Sequence, residues 1–534
     1  MPVSAEQIIN RFKASESERQ PWENTLDEAF RLFCPQRNTF YSQELVKGER
    51  RDNAVEVFDS TPQSSLLKFG SNMQSVVVPP FQDFISLAPG TNLEDPDGEN
   101  AKSLQGVTKV LMANIHHSNF ATQSAECLID YAFGTGALLV SKGSGPASTL
   151  NFSAIPQSEL YLEEGPDGSV GSVFRKRKVA ARNILGTWPD ADLSKDLKDL
   201  IEEKPEKPVD FLEATIPDRV VVNIRKKTRD QSGQVVSERV DPVELDGYRY
   251  VVINMKSKEI IVDRGMRRSP WVVFRYSVTP GEVYGRGPVM IAFADARTLN
   301  RTKELTLRNA SLRAVGAYTV ADDGVVNINN LRIQPGAMIP VASNGSQLQG
   351  PTIAALPSAG DFDVSQLVIA EMQRSINDIL FTDPYGPIDL PVKSATELSL
   401  RQQELAKRMG SAFGRLLYEF IGPLVNICLD ILEEEGLIDI SEYRIDGKNL
   451  NLRVLAPIAQ AQKETKFIAT QRFAESLRNV FGENIMALTV NSSRYSKELA
   501  ELLDINKELL NSQQEQQAMA GMLAQAAGGG PTGG

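Results

Sequence analysis

The segment that follows Tyr284-Gly285-Arg286-Gly287-Pro288 has the pattern of one long helix with very little apolar surface. Pro288 suits the first helical position, where the N–H that proline lacks would have no helical partner in any case. Roughly 25 residues at about 1.5 Å each give a rod about 40 Å long. Its apolar stripe is narrow and consists of Ile291, Ala294, Leu299, Leu305 and Leu312. A helix of this length with so narrow a stripe needs neighbouring elements to stabilise it.

The remaining surface of this predicted helix is basic. Its charged residues are Arg297, Arg301, Lys303, Arg308 and Arg313, opposed only by Asp295 and Glu304. An ordinary solvated face is the more common explanation of such a pattern. The alternative is a surface that meets nucleic-acid phosphates without reading bases, since no aromatic residues are interleaved with the basic ones. If copies of the chain formed a ring, each basic residue would become a ring of charge.

The composition indicates a globular protein that does not wrap tightly around nucleic acid. The chain has 534 residues, of which 41% are hydrophobic and 23% charged, and its formal net charge is −11. Domains of about 100–200 residues predict roughly three or four structural units. An acidic balance would also suit a surface past which DNA slides without sticking.

The residue inventory offers little for catalysis or metal binding. The three cysteines, Cys34, Cys127 and Cys428, are too far apart for a disulfide framework or a zinc site, and the two histidines are adjacent. No phosphate-binding loop of the G-x-x-x-x-G-K-[ST] type occurs. Gly285-Arg286-Gly287 resembles half of a dinucleotide fingerprint, but Pro288 follows and the third glycine is missing. We therefore predict no catalytic residue, no metal and no cofactor.

The hydrophobic periodicity predicts an α+β protein that is mostly helical. The predicted helices are Ser4–Leu32, Ser60–Val78, Ser103–Gly134, Val364–Leu380 and the longest one, from Ser394 to about Glu435 with a kink at Pro423. Strands are predicted within 150–179 and 219–275, with a hairpin turn at Gln231-Ser232-Gly233. No apolar run approaches the roughly 20 residues of a membrane span, and residues 1–26 lack the pattern of a signal peptide. We expect a soluble protein made in a reducing cytoplasm.

Several short motifs occur in a fixed succession along the chain. They are Trp22, Phe33-Cys34-Pro35, Asp59-Ser60, Pro79-Pro80, Phe133-Gly134-Thr135-Gly136, Trp271, Arg275, Tyr276, Tyr284-Gly285-Arg286-Gly287-Pro288, Asp295, Leu299 and Asn300. With its motifs in this order, the sequence resembles the portal, or head-to-tail connector, family of short-tailed double-stranded DNA phages. The resemblance extends from about residue 8 to about residue 520.

The resemblance implies a portal fold, with twelve copies in a ring around a central channel. Residues 1–178 and 316–455 would form the wing, 179–203 and 287–315 two stem helices, and 204–286 a strand-bearing clip. Residues 456–527 would form a helical crown, and 528–534 a disordered tail. A channel loop would span about 381–393 and include Asp383, Pro384, Tyr385, Gly386 and Pro387.

The resemblance also implies a function and a set of partners. Such a ring occupies one vertex of the capsid in the virion, passes double-stranded DNA non-specifically during packaging and ejection, and has no membrane partner. It docks the terminase and then a tail adaptor, and it meets the major capsid and scaffolding proteins and possible internal core or ejection proteins. Our candidates for residues near the DNA are Lys303, Arg308, Arg313 and Lys393. The alternatives are another virion ring, such as a tail-tube or adaptor protein, and a DNA-packaging enzyme.

Overall fold

Helices and antiparallel strands are both extensive along the chain, which confirms the predicted mixture of α and β structure. The structure is a computed structural model that describes residues 4–36, 57–89, 99–143, 148–229, 235–315, 318–320, 353–355, 362–382, 410–438, 450–455, 466–467, 469–477, 495 and 499. The contacts divide the chain into two compact units. The first comprises Met1–Asn24, Leu67–Pro288 and Phe381–Gly534, and the second comprises Thr25–Leu66 and Val289–Leu380.

The helices agree with the prediction where the apolar period is regular and a proline marks the end. They are α1 (Ala5–Phe33), α2 (Thr61–Val77), α3 (Glu99–His117), α4 (Phe120–Tyr131), α5 (Ile184–Thr187), α6 (Lys195–Glu203), α7 (Pro288–Val315), α8 (Phe362–Ile379), α9 (Ser411–Arg415) and α10 (Gly422–Glu434). A π-helical turn, Leu416–Ile421, joins α9 to α10 and ends two residues before Pro423. No helix among the described residues is long and apolar enough to cross a membrane.

Within the described ranges, the strands form four antiparallel sheets. They are β1 (Ile85–Pro89), β2 (Thr135–Lys142), β3 (Leu150–Ala154), β4 (Leu160–Glu164), β5 (Val170–Ala180), β6 (Pro208–Arg229), β7 (Val235–Asn254), β8 (Ile260–Met266), β9 (Trp271–Arg275), β10 (Tyr318–Val320), β11 (Ile353–Ala355) and β12 (Leu450–Val454). Their orders are β4-β5-β6-β7-β8, β3-β2-β9, β1-β12 and β10-β11.

The five-stranded sheet carries a core on each face because successive side chains of a strand point to opposite sides. Leu212 faces the first half of α1, where Ile8 and Phe12 pack against it. Phe211, its neighbour on β6, lies on the other face with Trp188 and the apolar side of α6. The alternation therefore gives one layer of sheet between two layers of helix.

The segment 179–203 is not the single stem helix that the resemblance implied, although its last part is helical. Val179 and Ala180 complete β5 by pairing with Val209 and Pro208, and a 3-10 turn, α5 and α6 follow as separate short pieces. The apolar side chains between them are buried against the sheet. The segment therefore follows the surface of the sheet in short pieces and does not form a continuous helix. Its assignment to a stem stays a prediction.

The predicted helix Ser103–Gly134 is divided between α3 and α4. At the division, the amide of Asn119 accepts the N–H of Phe152 at 2.9 Å and donates to its carbonyl at 2.8 Å. The Asn119 side chain therefore supplies hydrogen-bond partners to the backbone of Phe152 at the edge of β3. The chain turns at Asn119, between α3 and α4.

The apolar stripe predicted for α7 was correct at Leu299 but wrong at Ile291 and Leu305. The buried residues are Val289, Ala292, Ala296 and Leu299, whereas Ile291 is 68% exposed and Leu305 is 50% exposed. Two of the four buried residues are alanines, and small residues give a weak hydrophobic signal although they allow close packing.

Several predictions fall outside the described residues. They concern the turn at 231–233, the helix over 394–409, the channel-loop residues Asp383, Pro384, Tyr385, Gly386, Pro387 and Lys393, the side chain of Arg313, and most of 456–534. The wing, stem, clip and crown boundaries stay predictions.

Candidate functional site

The residues of the Tyr284–Pro288 motif lie where two stretches of backbone touch without intervening side chains. A Cβ added to Gly134 would lie 2.0 Å from the carbonyl oxygen of Gly285, and one added to Gly285 would lie 2.2 Å from that of Gly134. A Cβ on Gly287 would lie 2.1 Å from the carbonyl oxygen of Ala132. Gly134 also has a φ of +127°, which side-chain-bearing residues rarely adopt. We call this contact of Gly134, Gly285 and Gly287 the glycine junction.

Hydrogen bonds fix the two backbones of the glycine junction to each other. Thr135 Oγ1 accepts the N–H of Gly285 at 2.9 Å. The carbonyl of Gly134 accepts the N–H of Tyr276 at 2.8 Å. The junction therefore joins the turn after α4 to the loop between β9 and α7.

Arg275 lies beside the glycine junction, and its side chain is only 3% exposed. Its guanidinium donates to Glu419 Oε1 at 2.8 Å, and its backbone N–H donates to Glu419 Oε2 at 2.9 Å. Two further donors reach the carbonyls of Val283 and Gly168, each at 3.2 Å. Glu419 belongs to the π-helical turn, so this buried charge pair fastens that turn to β9.

Aromatic side chains surround the same place. The hydroxyl of Tyr284 accepts the N–H of Leu162 at 3.1 Å, and burial raises the pKa of Tyr284. Its ring lies 6.1 Å from that of Trp22, and the guanidinium of Arg286 lies 4.9 Å above the Trp22 ring. Trp271 Nε1 donates to Thr215 Oγ1 at 2.8 Å. The motif residues thus position the chain at the point where α7 begins.

A second cluster lies in the other unit and is centred on Asp59, whose side chain is 2% exposed. Asp59 Oδ1 accepts the N–H of Thr61 at 2.7 Å, at the start of α2. Oδ2 accepts from Lys303 Nζ of α7 at 2.8 Å and from Gln373 Nε2 of α8 at 2.9 Å. We call these four residues the Asp59 cluster. Burial alone would raise the pKa of Asp59, but the hydrogen bonds from Lys303, Thr61 and Gln373 outweigh burial and lower it.

Two more motif residues extend the contacts of α7. Asn300 Oδ1 accepts the N–H of Phe58 at 2.7 Å. Asp295 Oδ2 accepts from the hydroxyl of Ser375, on α8, at 2.6 Å. These hydrogen bonds therefore connect α7 to the segment before α2 and to α8 within the same unit.

The structure separates the predicted DNA-proximal residues that it describes. Lys303 is held in the Asp59 cluster, whereas Arg308 is 67% exposed and pairs with Glu304 at 2.6 Å. Five helical residues at about 100° each place these two side chains about 140° apart around α7. The exposed side of α7 carries Arg297 and Arg301 with Arg308.

Sequence reasoning missed the partners of the buried charges. Asp59 before a helix start is a recognisable capping signal, but nothing local indicates Lys303 or Gln373 as its further partners. Glu419 gives no signal, because it lies 144 residues from Arg275. Among the described residues, no group of three or more His, Cys, Asp or Glu side chains could hold a metal ion.

Comparison with known proteins finds matches over nearly the whole chain. A family model described as "Bacteriophage head to tail connecting protein" matches residues 5–510. The chain is also 20% identical to the "Probable portal protein" of Bordetella phage BPP-1, over 94% of this chain and 88% of that protein.

Replacing Gly285 with alanine should strongly destabilise the fold, because the new methyl group would overlap the carbonyl of Gly134. We expect a loss of at least about 2 kcal/mol in the free energy of unfolding, measured by urea denaturation followed by circular dichroism. Gly414→Ala is the matched control, since a Cβ there meets nothing within 4 Å and alanine favours the helix. Equal urea midpoints for Gly285→Ala and the unmodified protein would contradict the role of the junction.

Replacing Asp59 with asparagine should lower the free energy of unfolding at pH 7 by about 2 kcal/mol, because a buried charged hydrogen-bond acceptor is lost. The folded-state pKa of Asp59 is lowered. Its stabilising effect is therefore present above the unfolded pKa of about 3.9 and is lost as the pH falls through the folded value. The difference between variant and unmodified protein should shrink over that window in unfolding measurements from pH 7 to pH 3.

Asp190→Asn provides the control for this pH series, because Asp190 is an exposed carboxylate paired with Arg264. It should change stability by less than about 0.5 kcal/mol at any pH. A constant difference between Asp59→Asn and the unmodified protein from pH 7 to pH 3 would refute the assignment of the charge to Asp59.

Proposed function

Because the chain belongs to the phage head-to-tail connecting protein family, we propose that it is the portal subunit whose copies form a ring at one vertex of the capsid. The observation that carries this proposal is the family match over residues 5–510, which includes the glycine junction and the Asp59 cluster. The genome would pass through the channel of the ring during packaging and ejection. The mature ring would be part of the virion.

Assembly with neighbouring copies is supported by what α7 leaves exposed. Ile291 and Leu305 lie on the outer side of the helix with three arginines, and apolar side chains in such a place are stabilised when a neighbour covers them. A head-to-tail contact between copies closes into a ring when the rotation between them is regular.

The ring would serve as a conduit and docking platform and not as an enzyme. The family description refers to joining head and tail, and every motif residue described above is engaged in packing or in a structural hydrogen bond. We propose the terminase, the tail adaptor, and the major capsid and scaffolding proteins as successive partners, with the chain made in the host cytoplasm. Internal core or ejection proteins would meet the opposite end of the ring.

Within the channel, Arg308 is our first candidate for a residue that meets DNA. It is exposed, whereas the ammonium of Lys303 already has a buried partner. Arg313 and Lys393 stay proposals of the same kind. A few basic residues per copy in an otherwise acidic protein would hold DNA loosely enough for it to slide.

Electron microscopy of the purified chain should show rings with a central hole. Native mass spectrometry should give a mass of twelve 58.7 kDa chains. A monodisperse monomer at high protein concentration would refute the portal assignment. Rings that join purified tails but are absent from empty capsids would favour a tail-tube or adaptor ring instead.

Arg308→Glu should change DNA retention in packaged particles while rings still assemble. The substitution reverses an exposed charge beside Glu304, and its cost to the helix is only a few tenths of a kcal/mol, about 0.5 at most. Arg182→Glu is the control, since Arg182 is also an exposed arginine paired with a glutamate, Glu206, and lies outside α7. If packaging yield and retained DNA are unchanged in Arg308→Glu, this side chain does not face the DNA.

A further inference from the structure

Strands β6 and β7 extend well beyond the sheet to which they belong. They pair continuously from Phe211↔Asn254 to Arg229↔Val235. However, β5 accompanies β6 only as far as Thr215, and β8 accompanies β7 only between Tyr248 and Ile253. Beyond these points, residues 218–229 and 235–247 pair only with each other among the described residues. We call them the outer ribbon, which is about 40 Å long at about 3.3 Å per residue.

A two-stranded ribbon of this length is incomplete on its own. Such a ribbon is marginally stable in water. Each of its outer edges presents backbone C=O groups and, except at Pro242, N–H groups that have no strand partner within the described part of the chain. Exposed edges of this kind are usually covered, because they otherwise pair with other strands.

The two edges of the outer ribbon have opposite charge. On β6, residues 218–229 carry five basic residues and one acidic residue, and the basic ones are Arg219, Arg225, Lys226, Lys227 and Arg229. On β7, residues 235–247 carry four acidic residues and one basic residue, and the acidic ones are Glu238, Asp241, Glu244 and Asp246. The strand at one edge is therefore complementary in charge to the strand at the other.

We propose that the β6 edge of the outer ribbon pairs with the β7 edge of a second copy of this chain. The two edges have the same length and opposite polarity, and the same two strands already pair in register within one chain. Copies placed side by side in the same orientation would continue the antiparallel order β6-β7-β6-β7. This head-to-tail contact leaves no free edge once it closes on itself. The inference depends on the proposed function only for the expectation of a ring.

Paired charge reversals test the contact in the full-length protein. The first variant is Arg225→Glu with Lys227→Glu, and the second is Glu238→Lys with Glu244→Lys. The register places Lys227 opposite Glu238 and Val221 opposite Glu244, so strand alternation puts all four substituted positions on one face of the ribbon. At these four positions the first variant carries only acidic residues, and the second carries only basic residues.

Each variant alone should form at least tenfold fewer rings than the unmodified protein in native mass spectrometry, because like charges meet at every contact between copies. An equimolar mixture should restore rings in which the two variants alternate, since every contact then joins opposite charges. Within each chain the ribbon strands still carry like charges in the mixture. Mixing therefore cannot rescue a defect confined to the folding of one ribbon.

Lys198→Glu with Lys204→Glu is the control for the first variant, because it makes the same change in net charge on exposed residues of and beside α6. It should form rings like the unmodified protein. The inference is overturned if either ribbon variant alone assembles like the unmodified protein, or if mixing restores no rings. Ribbon variants that form normal rings but fail to attach tails would show that a strand of another virion protein covers the edge instead. Absence of rings in the unmodified protein would refute the proposed function separately.

Discussion

The backbone contact between Gly134 and Gly285 is the constraint on which the geometry of the first unit depends. Two chain segments that are 150 residues apart approach so closely that neither can carry a side chain at the contact. β9 enters this place and carries Arg275, whose buried charge requires a carboxylate nearby. Glu419 supplies it from the π-helical turn. The end of α4, the three-stranded sheet, the turn before α10 and the start of α7 are therefore fixed by one set of contacts.

Burial explains why neighbouring charges on α7 have different roles. The ion pair between Lys303 and Asp59 is removed from water, so loss of either partner would leave an uncompensated buried group. The pairs that Arg301 and Arg308 form with Glu304 lie at the surface, where water screens them and they contribute little. An exposed arginine can therefore exchange Glu304 for another anion at small cost, whereas Lys303 cannot leave Asp59 so easily.

Several surfaces of the chain are incomplete in one copy, and each suits a different kind of contact. The outer side of α7 combines apolar residues with arginines, whereas the outer ribbon presents backbone edges of opposite charge. The family to which the chain belongs connects head and tail, and a ring of identical copies would cover both surfaces at once. A chain with such surfaces would gain stability from the proposed assembly in addition to what its own core supplies.

The sequence alone determined the elements whose signals are local. Regular apolar spacing with a proline or a capping residue at the ends was enough for α1, α2 and α8. Alternation indicated the strands of the large sheet except residues 208–218, the first part of β6. The succession of short motifs was enough for the family.

The tertiary structure alone decided which face of α7 is buried. Two of the buried residues are alanines, and the hydrophobic signal of alanine is too weak to mark a buried face in the sequence. The tertiary structure also decided that residues 179–203 follow a sheet surface in short pieces, and that Glu419 and Asp59 are the partners of Arg275 and Lys303. Local patterns report that a residue is buried or charged, but its partner lies far away in the chain. Only the folded chain brings the two together.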